Sequence, residues 1–545
     1  MKKVLKGCGI ALAVILVLLI IAGIGIMIFI DRIFPDGSPE TLPTAPAAGA
    51  DSALVETTSG SVRGFIRDEI YTYYGIPYAR ATERFTPAQE YHWDGVLDAV
   101  AYGPIAMQGN TGDNNCQNLN IWTPGVGDGE KRPVMVWLHS GAFSSGSSSG
   151  DASTDGTSLA TEGDVVVVSL NHRLNVMGFL DLSAYGEKYQ YSGNVGLMDI
   201  VMALEWVNEN IEAFGGDPEN VTIFGESGGG AKVLALMTTP YAEGLFHKGI
   251  NESGILDSSG ITFTAQEVSR RVAELTLEKL SVAPENIEEL QTIPYSRLTS
   301  ASDSAMAEAA REYGLELLGQ TSMQWLPTID GDYLPTAPVT EDGFAETGRD
   351  IPLMVGTNLA ELNGFMAMMT DRSDWDEAET MSQLESAYGD NAQAIADAFA
   401  SAYPHKALSD ALYVDTAHRQ PALKLLHHKL MQGGAPVYAY VYTWESPESG
   451  GRMLATHGAE IPFVFHNIEY SAMAGTSDEA KALEQAMSRA WLAFAHTGDP
   501  GTEELPWPAY DGENGATMIF DNDPYVGFHH DRALLDLLNP GYDYD

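Results

Sequence analysis

Cysteine is almost absent from this chain, which has only Cys8 and Cys116 among 545 residues. Cys8 borders a long apolar run, so the two thiols are not expected to pair. Neither a disulfide framework nor a cysteine-based metal site is therefore indicated. Cys116 is expected to be a buried free thiol.

Basic residues are also scarce, since 29 Lys and Arg stand against 75 Asp and Glu, and the formal net charge is −46. Binding to nucleic acid depends on clustered Lys and Arg, so this composition argues against a nucleic-acid partner. A strongly hydrated acidic surface is the simpler interpretation of the charge, and a field that steers cationic substrates is the alternative. A hydrophobic content of 44% is ample for a large core.

One long uncharged apolar run is present near the amino terminus, at residues 7–30. It exceeds the about 20 residues needed to span a bilayer, whereas a removed signal peptide has a shorter apolar core and a small-residue cleavage site. The run therefore predicts an uncleaved signal-anchor helix. Because Lys2, Lys3 and Lys6 precede it, the amino terminus is expected in the cytoplasm and the remainder outside, in the periplasm or the extracellular space.

The chain divides into three predicted parts. A cytoplasmic stub and transmembrane anchor occupy 1–32, a proline-rich linker occupies 33–52, and one large domain occupies 53–545. In that domain, short apolar runs alternate with helical patterns, which predicts an α/β fold. The runs at 133–138 and 164–170 are apolar throughout, as in strands buried on both faces of a parallel sheet.

Several segments are assigned by pattern to particular elements. Aromatic and β-branched residues at 62–65 and 71–77 predict early antiparallel strands. Apolar residues at helical spacing predict a helix over 196–214. The segments 261–325 and 371–433 are helix-rich and are expected to cap or flank the functional site.

A G-x-S-x-G pentapeptide, Gly225-Glu226-Ser227-Gly228-Gly229, is the strongest chemical signal in the chain. It follows a β-type run at 221–224 and precedes a segment that can be helical, which is the context of a nucleophile elbow. The outer glycines would let the strand and the helix approach closely. Ser227 is therefore the predicted nucleophile. Glu226 is expected to point away from the other catalytic groups.

A serine nucleophile needs a base, usually histidine. Among the thirteen histidines, His457 has the most suitable context, because it follows a strand-like run at 437–442 and a glycine-rich loop. An ordinary loop histidine is the alternative interpretation. His418 lies among polar residues with no preceding strand, so it is not selected.

The carboxylate and the oxyanion hole are less clearly marked. Glu361 stands out among the 75 acidic residues only because it follows a strand-like run at 353–356. The oxyanion of an acyl-transfer intermediate needs backbone N–H donors. Gly228, directly after the serine, and the small-residue loop 139–143 can supply them.

These motifs resemble those of type B carboxylesterases, the cholinesterase-like branch of the α/β-hydrolases. The stretch 214–229 is similar to almost all of the family's serine signature, and 116–124 to part of its second signature. Further similar motifs occur in order along the chain, at 75–79, 171–174, 178–179, 244–246 and 494–500. The resemblance spans about 54–521.

The resemblance implies an α/β-hydrolase fold with a large, mostly parallel central sheet, flanking helices and helical capping insertions. It implies no metal and no organic cofactor. The site residues that it implies are Ser227 as nucleophile, Glu361 as the triad acid, His457 as base, and the N–H groups of Gly141, Ala142 and Gly228 as oxyanion donors.

Three departures from the family pattern concern the loop 139–143 and its surroundings. The usual glycine triplet reads Ser140-Gly141-Ala142, and the usual alanine after the serine is Gly228. The methyl group of Ala142 would narrow the loop and restrict bulky alcohols or acyl groups. The tryptophan that binds choline in cholinesterases has no counterpart, which argues against specificity for choline esters.

The sequence therefore predicts a membrane-tethered serine hydrolase that cleaves small-molecule carboxylic esters through an acyl-enzyme. A hydrolase of amides, carbamates or larger polyesters with the same triad is one alternative. A non-catalytic cholinesterase-like adhesion or binding protein is another, although such proteins typically lose the serine or the histidine. The acyl and alcohol preferences and the oligomeric state do not follow from the sequence.

Overall fold

The computed structural model describes residues 46, 48–149, 151–317, 320–321 and 323–544. The predicted anchor at 1–32 lies outside these residues. Within the described ranges, no helix is both long enough and apolar enough to cross a membrane.

An eleven-stranded sheet organises the described part of the chain. We number its strands in chain order: β1 Phe65–Arg67, β2 Ile70–Pro77, β3 Asn118–Thr123, β4 Arg132–Leu138, β5 Val166–Leu170, β6 Gly216–Glu226, β7 Lys248–Glu252, β8 Leu353–Asn358, β9 Val437–Tyr442, β10 Ala516–Phe520 and β11 Tyr525–Phe528. Across the sheet the order is β11-β10-β9-β8-β7-β6-β4-β5-β3-β2-β1.

The sheet is mixed, with a parallel centre. Neighbouring strands from β10 across to β5 are all parallel. The strands β1, β2 and β3 at one edge and β11 at the other pair antiparallel. The predicted early antiparallel strands and the predicted parallel strands are thus confirmed.

Strand β4 shows why the parallel strands read as continuous apolar runs. Its side chains alternate between two separate cores, with Val134 and Val136 in one and Met135 and Trp137 in the other. Every residue of β4 is buried. Since both faces of the sheet are covered, the strand is apolar at every position after its first residue, Arg132.

Helices provide the cover on the two faces. They are α1 Thr157–Gly163, α2 Asn175–Phe179, α3 Val195–Asn210, α4 Gly228–Thr238, α5 Gln266–Leu280, α6 Tyr295–Glu312, α7 Asn363–Met368, α8 Glu377–Tyr388, α9 Ala392–Ala402, α10 Arg419–Gln432, α11 Ile461–Val464, α12 Asp478–Thr497 and α13 Arg532–Leu538. The first core receives Leu204 of α3 and Leu234 of α4, and the second receives Met487 and Trp491 of α12. The predicted helix at 196–214 and the two predicted helix-rich segments are confirmed.

Cys116 and the ion pair between Arg173 and Asp199 are two buried features of the fold. Cys116 is a buried free thiol, as predicted, and burial raises the pKa of this thiol well above its usual value. Arg173 forms a fully buried ion pair with Asp199 of α3, with Nη2–Oδ1 and Nε–Oδ2 distances of 2.7 and 2.8 Å. This pair ties the loop after β5 to the helix that precedes β6.

Candidate active site

Ser227 stands alone at a sharp turn, because β6 ends at Glu226 and α4 begins at Gly228. Its backbone angles are φ 56° and ψ −122°, a conformation that a residue with a side chain rarely adopts. The Ser227 N–H donates to the carbonyl of Glu252 at 2.8 Å, which holds the turn against β7. The predicted strand–turn–helix elbow is therefore present.

The glycines on either side of Ser227 are required by the approach of another strand. A Cβ atom at Gly225 would lie 2.5 Å from the carbonyl oxygen of Leu138, and one at Gly229 would lie 2.0 Å from the same oxygen. The end of β4 thus packs directly onto the elbow, as expected for a turn that admits only glycine at these positions.

Glu361 and His457 come together from two later loops. His457 Nδ1 lies 2.5 Å from Glu361 Oε2, and the backbone N–H of His457 donates to the backbone carbonyl of Glu361 at 3.2 Å. Glu361 lies three residues past the end of β8, and its other oxygen accepts the Asn358 backbone N–H at 2.7 Å. The sequence-predicted acid and base therefore form a hydrogen-bonded pair, with the carboxylate fully buried.

Glu226 corrects one expectation. It was expected to point away from the catalytic groups, but its Oε1 lies 3.2 Å from His457 Nε2. Its Oε2 accepts a hydrogen bond from Ser140 Oγ at 2.5 Å. Among the described residues, no hydrogen bond joins Ser227 Oγ to His457 Nε2, and the Glu226 carboxylate instead lies beside the ring nitrogen that would serve the serine.

Another buried carboxylate, that of Glu460, lies near the Glu361–His457 pair. Asn358 Nδ2 donates to Glu460 Oε2 at 2.6 Å and to the Thr456 carbonyl at 2.7 Å. Thr456 Oγ1 in turn donates to the Glu361 carbonyl at 2.9 Å. This network fixes the loop that carries His457 to the end of β8, and sequence reasoning did not identify either Asn358 or Glu460.

The carboxylates dominate the electrostatics of His457. Burial disfavours the imidazolium, but the charges of Glu226 and Glu361 and the hydrogen bond to Glu361 raise the pKa of His457 to about 10. Both ring nitrogens face carboxylate oxygens, an arrangement that favours the protonated ring. Burial likewise raises the pKa of Glu226, and it raises that of Glu460 well above the usual value.

His418 also lies at this site, although the sequence analysis did not select it. Its ring centroid lies 5.4 Å from that of His457, and its Nδ1 lies 3.3 Å from Asp415 Oδ1. The one available sequence signal was its spacing of three residues from Asp415, at the start of α10.

The predicted oxyanion donors lie in the loop that follows β4. Gly141 and Ala142 have positive φ angles of 92° and 55°. Ala142 packs so closely on Gly228 that a Cβ atom at Gly228 would lie 2.2 Å from the Ala142 Cα. The loop that carries Gly141 and Ala142 therefore packs against Gly228, the residue after Ser227.

A buried lysine supports this loop from behind. Lys232 of α4 is fully buried, and its Nζ donates to the carbonyl oxygen of His139 at 2.7 Å. Burial lowers the pKa of Lys232 to about 7. Together with the hydrogen bond from Ser140 to Glu226, this contact fixes the first two residues of the loop.

One group among the described residues has the spacing of metal ligands. Glu361, His418 and His457 each offer a ligand atom, and these atoms lie within 4.8 Å of one another. Glu361 Oε2 and His457 Nδ1 are already joined by a hydrogen bond, which a metal ion would have to replace. The arrangement is explained by acid–base chemistry among these side chains.

A strained serine between a strand and a helix, followed along the chain by a carboxylate and a histidine, defines a serine hydrolase of the α/β class. Comparison with known proteins agrees. The sequence model of the carboxylesterase family matches residues 51–533. The chain therefore belongs to the carboxylesterase family, it has the α/β-hydrolase fold with a large mixed sheet, and it is a carboxylic ester hydrolase.

Several relatives illustrate this membership. The chain is 36% identical over 491 residues to the para-nitrobenzyl esterase of Bacillus subtilis (strain 168), covering 86% of this chain and 95% of the relative. It is 30% identical over 516 residues to the phenmedipham hydrolase of Pseudarthrobacter oxydans, covering 90% and 98%. The solved structure of an esterase from Clostridium hathewayi, described as able to hydrolyse aliphatic aromatic polyesters, matches with a TM-score of 0.82 and 36% identity, covering 90% and 98%.

Proposed function

We propose that Ser227, His457 and Glu361 are the catalytic triad of this esterase. The observation that carries the proposal is the Glu361–His457 hydrogen bond of 2.5 Å beside the strained elbow of Ser227. For catalysis, His457 Nε2 leaves Glu226 Oε1, loses its proton and accepts the proton of the Ser227 hydroxyl. Glu361 keeps the ring oriented through Nδ1 and stabilises the imidazolium that forms.

The reaction then follows two displacements. Ser227 Oγ attacks the ester carbonyl, and the N–H groups of Gly141, Ala142 and Gly228 donate to the developing oxyanion. His457 returns the proton to the departing alcohol and leaves an acyl group on Ser227. It next takes a proton from water, whose oxygen attacks the acyl carbon, and it returns that proton to Ser227 Oγ as the acyl–oxygen bond breaks and the acid leaves.

Replacement of the nucleophile tests this assignment. We expect Ser227→Ala to lower kcat for a p-nitrophenyl butyrate substrate by about 10⁴-fold or more, with an unchanged far-UV spectrum. An organophosphate should label the parent protein stoichiometrically and leave the variant unlabelled. Ser401→Ala is the matched control, because Ser401 is exposed on α9. Undiminished hydrolysis by Ser227→Ala would refute the triad, and absence of labelling in the parent would favour a non-catalytic binding protein.

A second candidate activity is the hydrolysis of larger polyesters. It is supported by the similarity to the Clostridium hathewayi esterase along 90% of this chain. Incubation with suspended aliphatic–aromatic polyester particles, followed by chromatography of the released acids, tests it. Release that depends on Ser227 supports the activity, whereas turnover of p-nitrophenyl butyrate without any release from particles restricts the substrates to small esters.

We further propose that residues 1–32 anchor the catalytic domain, 53–545, outside the cell through the linker 33–52. The proposal is supported by the uncharged run at 7–30 and by the lysines that precede it. The full chain should sediment with membranes and be accessible to protease from outside, while a chain that begins at residue 53 should remain soluble. Recovery of the full chain in the soluble fraction with a mature terminus beyond Ala50 would contradict the anchor.

A further inference from the structure

His418 is a buried imidazole that the proposed triad does not use. Only 4% of the residue is exposed, and its ring lies at 40° to that of His457 with 5.4 Å between the centroids. A nitrogen of His418 and an oxygen of Glu361 are among the three ligand atoms that lie within 4.8 Å of one another. His418 therefore faces both the acid and the base of the triad.

Asp415 fixes His418 in this position. One oxygen of Asp415 lies 3.3 Å from His418 Nδ1, and the other accepts the His418 backbone N–H at 2.7 Å. The Asp415 N–H donates to the carbonyl of Leu359 at 2.8 Å. Because Leu359 precedes Glu361 by two residues, this contact ties Asp415 and His418 to the same segment that carries the triad acid.

We propose that His418 is a positioning residue, which as an imidazolium between Asp415 and Glu361 keeps Glu361 ionised against His457 and weakens the hold of His457 on its proton. This role rests on the proposed triad. It accounts for the burial of a second histidine beside the first.

The charges around the two rings give the reason. His457 faces the carboxylates Glu226, Glu361 and Glu460, all of which favour its protonated form. A general base must lose that proton before it can accept one from the serine. A cation at His418 opposes the negative charges of Glu226 and Glu361, so it brings the proton affinity of His457 closer to the value that catalysis needs.

The groups that face His418 favour its protonated form. Burial disfavours its charge, but Glu361 and Asp415 raise the pKa of His418 above its ordinary value. In return, burial disfavours the Glu361 carboxylate, and His418 and His457 attract it and keep its pKa below the usual value. The nearby Arg419 does not take this role, since its Nε is paired with Asp531 Oδ2 at 2.6 Å.

Two neutral replacements test the proposal through the pH profile of kcat/KM for p-nitrophenyl butyrate. His418→Phe keeps a ring and removes the charge, whereas His418→Gln can still bond to Asp415 and also removes the charge. Loss of the cation makes the His457 imidazolium more stable, so the acid limb should move to higher pH. The expected shift is about two pH units, the interaction of unit charges 5.4 Å apart at an effective dielectric constant of roughly 20.

At a fixed pH on that limb, both variants should therefore lose about 100-fold in kcat/KM, with an unchanged plateau at high pH. His427→Phe is the matched control and should keep the parent profile, since His427 lies nine residues farther along α10. An acid limb that stays in place in His418→Gln, or a plateau lowered without any shift, would overturn the proposal. Undiminished activity of Ser227→Ala would instead show that the triad itself is misassigned.

Discussion

The contact between Ala142 and Gly228 makes one substitution unusually informative. A Cβ atom at Gly228 would lie 2.2 Å from the Ala142 Cα, 2.3 Å from its oxygen and 2.4 Å from its nitrogen. All three are backbone atoms of the loop that carries two proposed oxyanion donors. Gly228→Ala introduces the residue that the family pattern usually has here, yet we expect it to impair this protein.

The expected loss follows from the displacement. Ordinary van der Waals contacts of a Cβ atom begin at 3.4 Å, so the loop and the helix must separate by about 1.2 Å, the difference between 3.4 and 2.2 Å. A misplacement of about 1 Å costs roughly 100-fold in rate, and loss of one oxyanion donor costs about 100- to 1,000-fold in kcat. We therefore expect kcat of Gly228→Ala to fall about 100-fold. KM should change little, because the donors act on the transition state.

The assay is steady-state hydrolysis of p-nitrophenyl butyrate by folded protein, with thermal unfolding measured in parallel. Gly512→Ala is the control, because a Cβ atom there would meet nothing within 4 Å. Ala142→Gly should relieve the strain of a φ of 55° and let the loop retreat, so the double variant should recover at least about tenfold over Gly228→Ala. A kcat of Gly228→Ala within about threefold of the parent would refute the reasoning, as would strictly additive effects in the double variant.

Two further predictions concern charge. Glu226→Gln removes the first of the attractions that raise the pKa of His457 to about 10. The neutral base then forms at lower pH, so the acid limb of kcat/KM should move downward, opposite to the His418 variants, and an unmoved limb would contradict the contact at Nε2. Arg173→Met leaves Asp199 buried without its cation and should lower the free energy of unfolding in urea by about 3–5 kcal/mol. Adding Asp199→Asn should restore part of that loss, and equal stability of Arg173→Met and the parent would refute the estimate.

Much of the central sheet could be predicted because the residues of each strand alone indicate that both of its faces are buried. After Arg132, strand β4 is apolar since its side chains enter two cores, and this pattern can be recognised without knowledge of the neighbouring strands. The order of the strands across the sheet cannot be predicted in this way. Strand β6 begins at Gly216, well before the apolar run at 221–224, because Gly216 pairs with Arg132 of β4 across an irregularity in register. That pairing depends on residues far away in the chain.

The same distinction explains the site. Ser227 could be identified from its own pentapeptide, whereas Glu226 was misplaced because alternation along a strand does not reveal which distant loop covers its end. The loop that carries His457 covers the end of β6. His418, the residue before α10, also lies beside His457. As a result both ring nitrogens of His457 lie beside carboxylate oxygens, those of Glu226 and Glu361, and in the proposed mechanism the ring reaches the serine only after it leaves Glu226 and loses one proton. In that mechanism, the balance between these carboxylates and the proposed His418 cation sets the pH range in which Ser227 is activated.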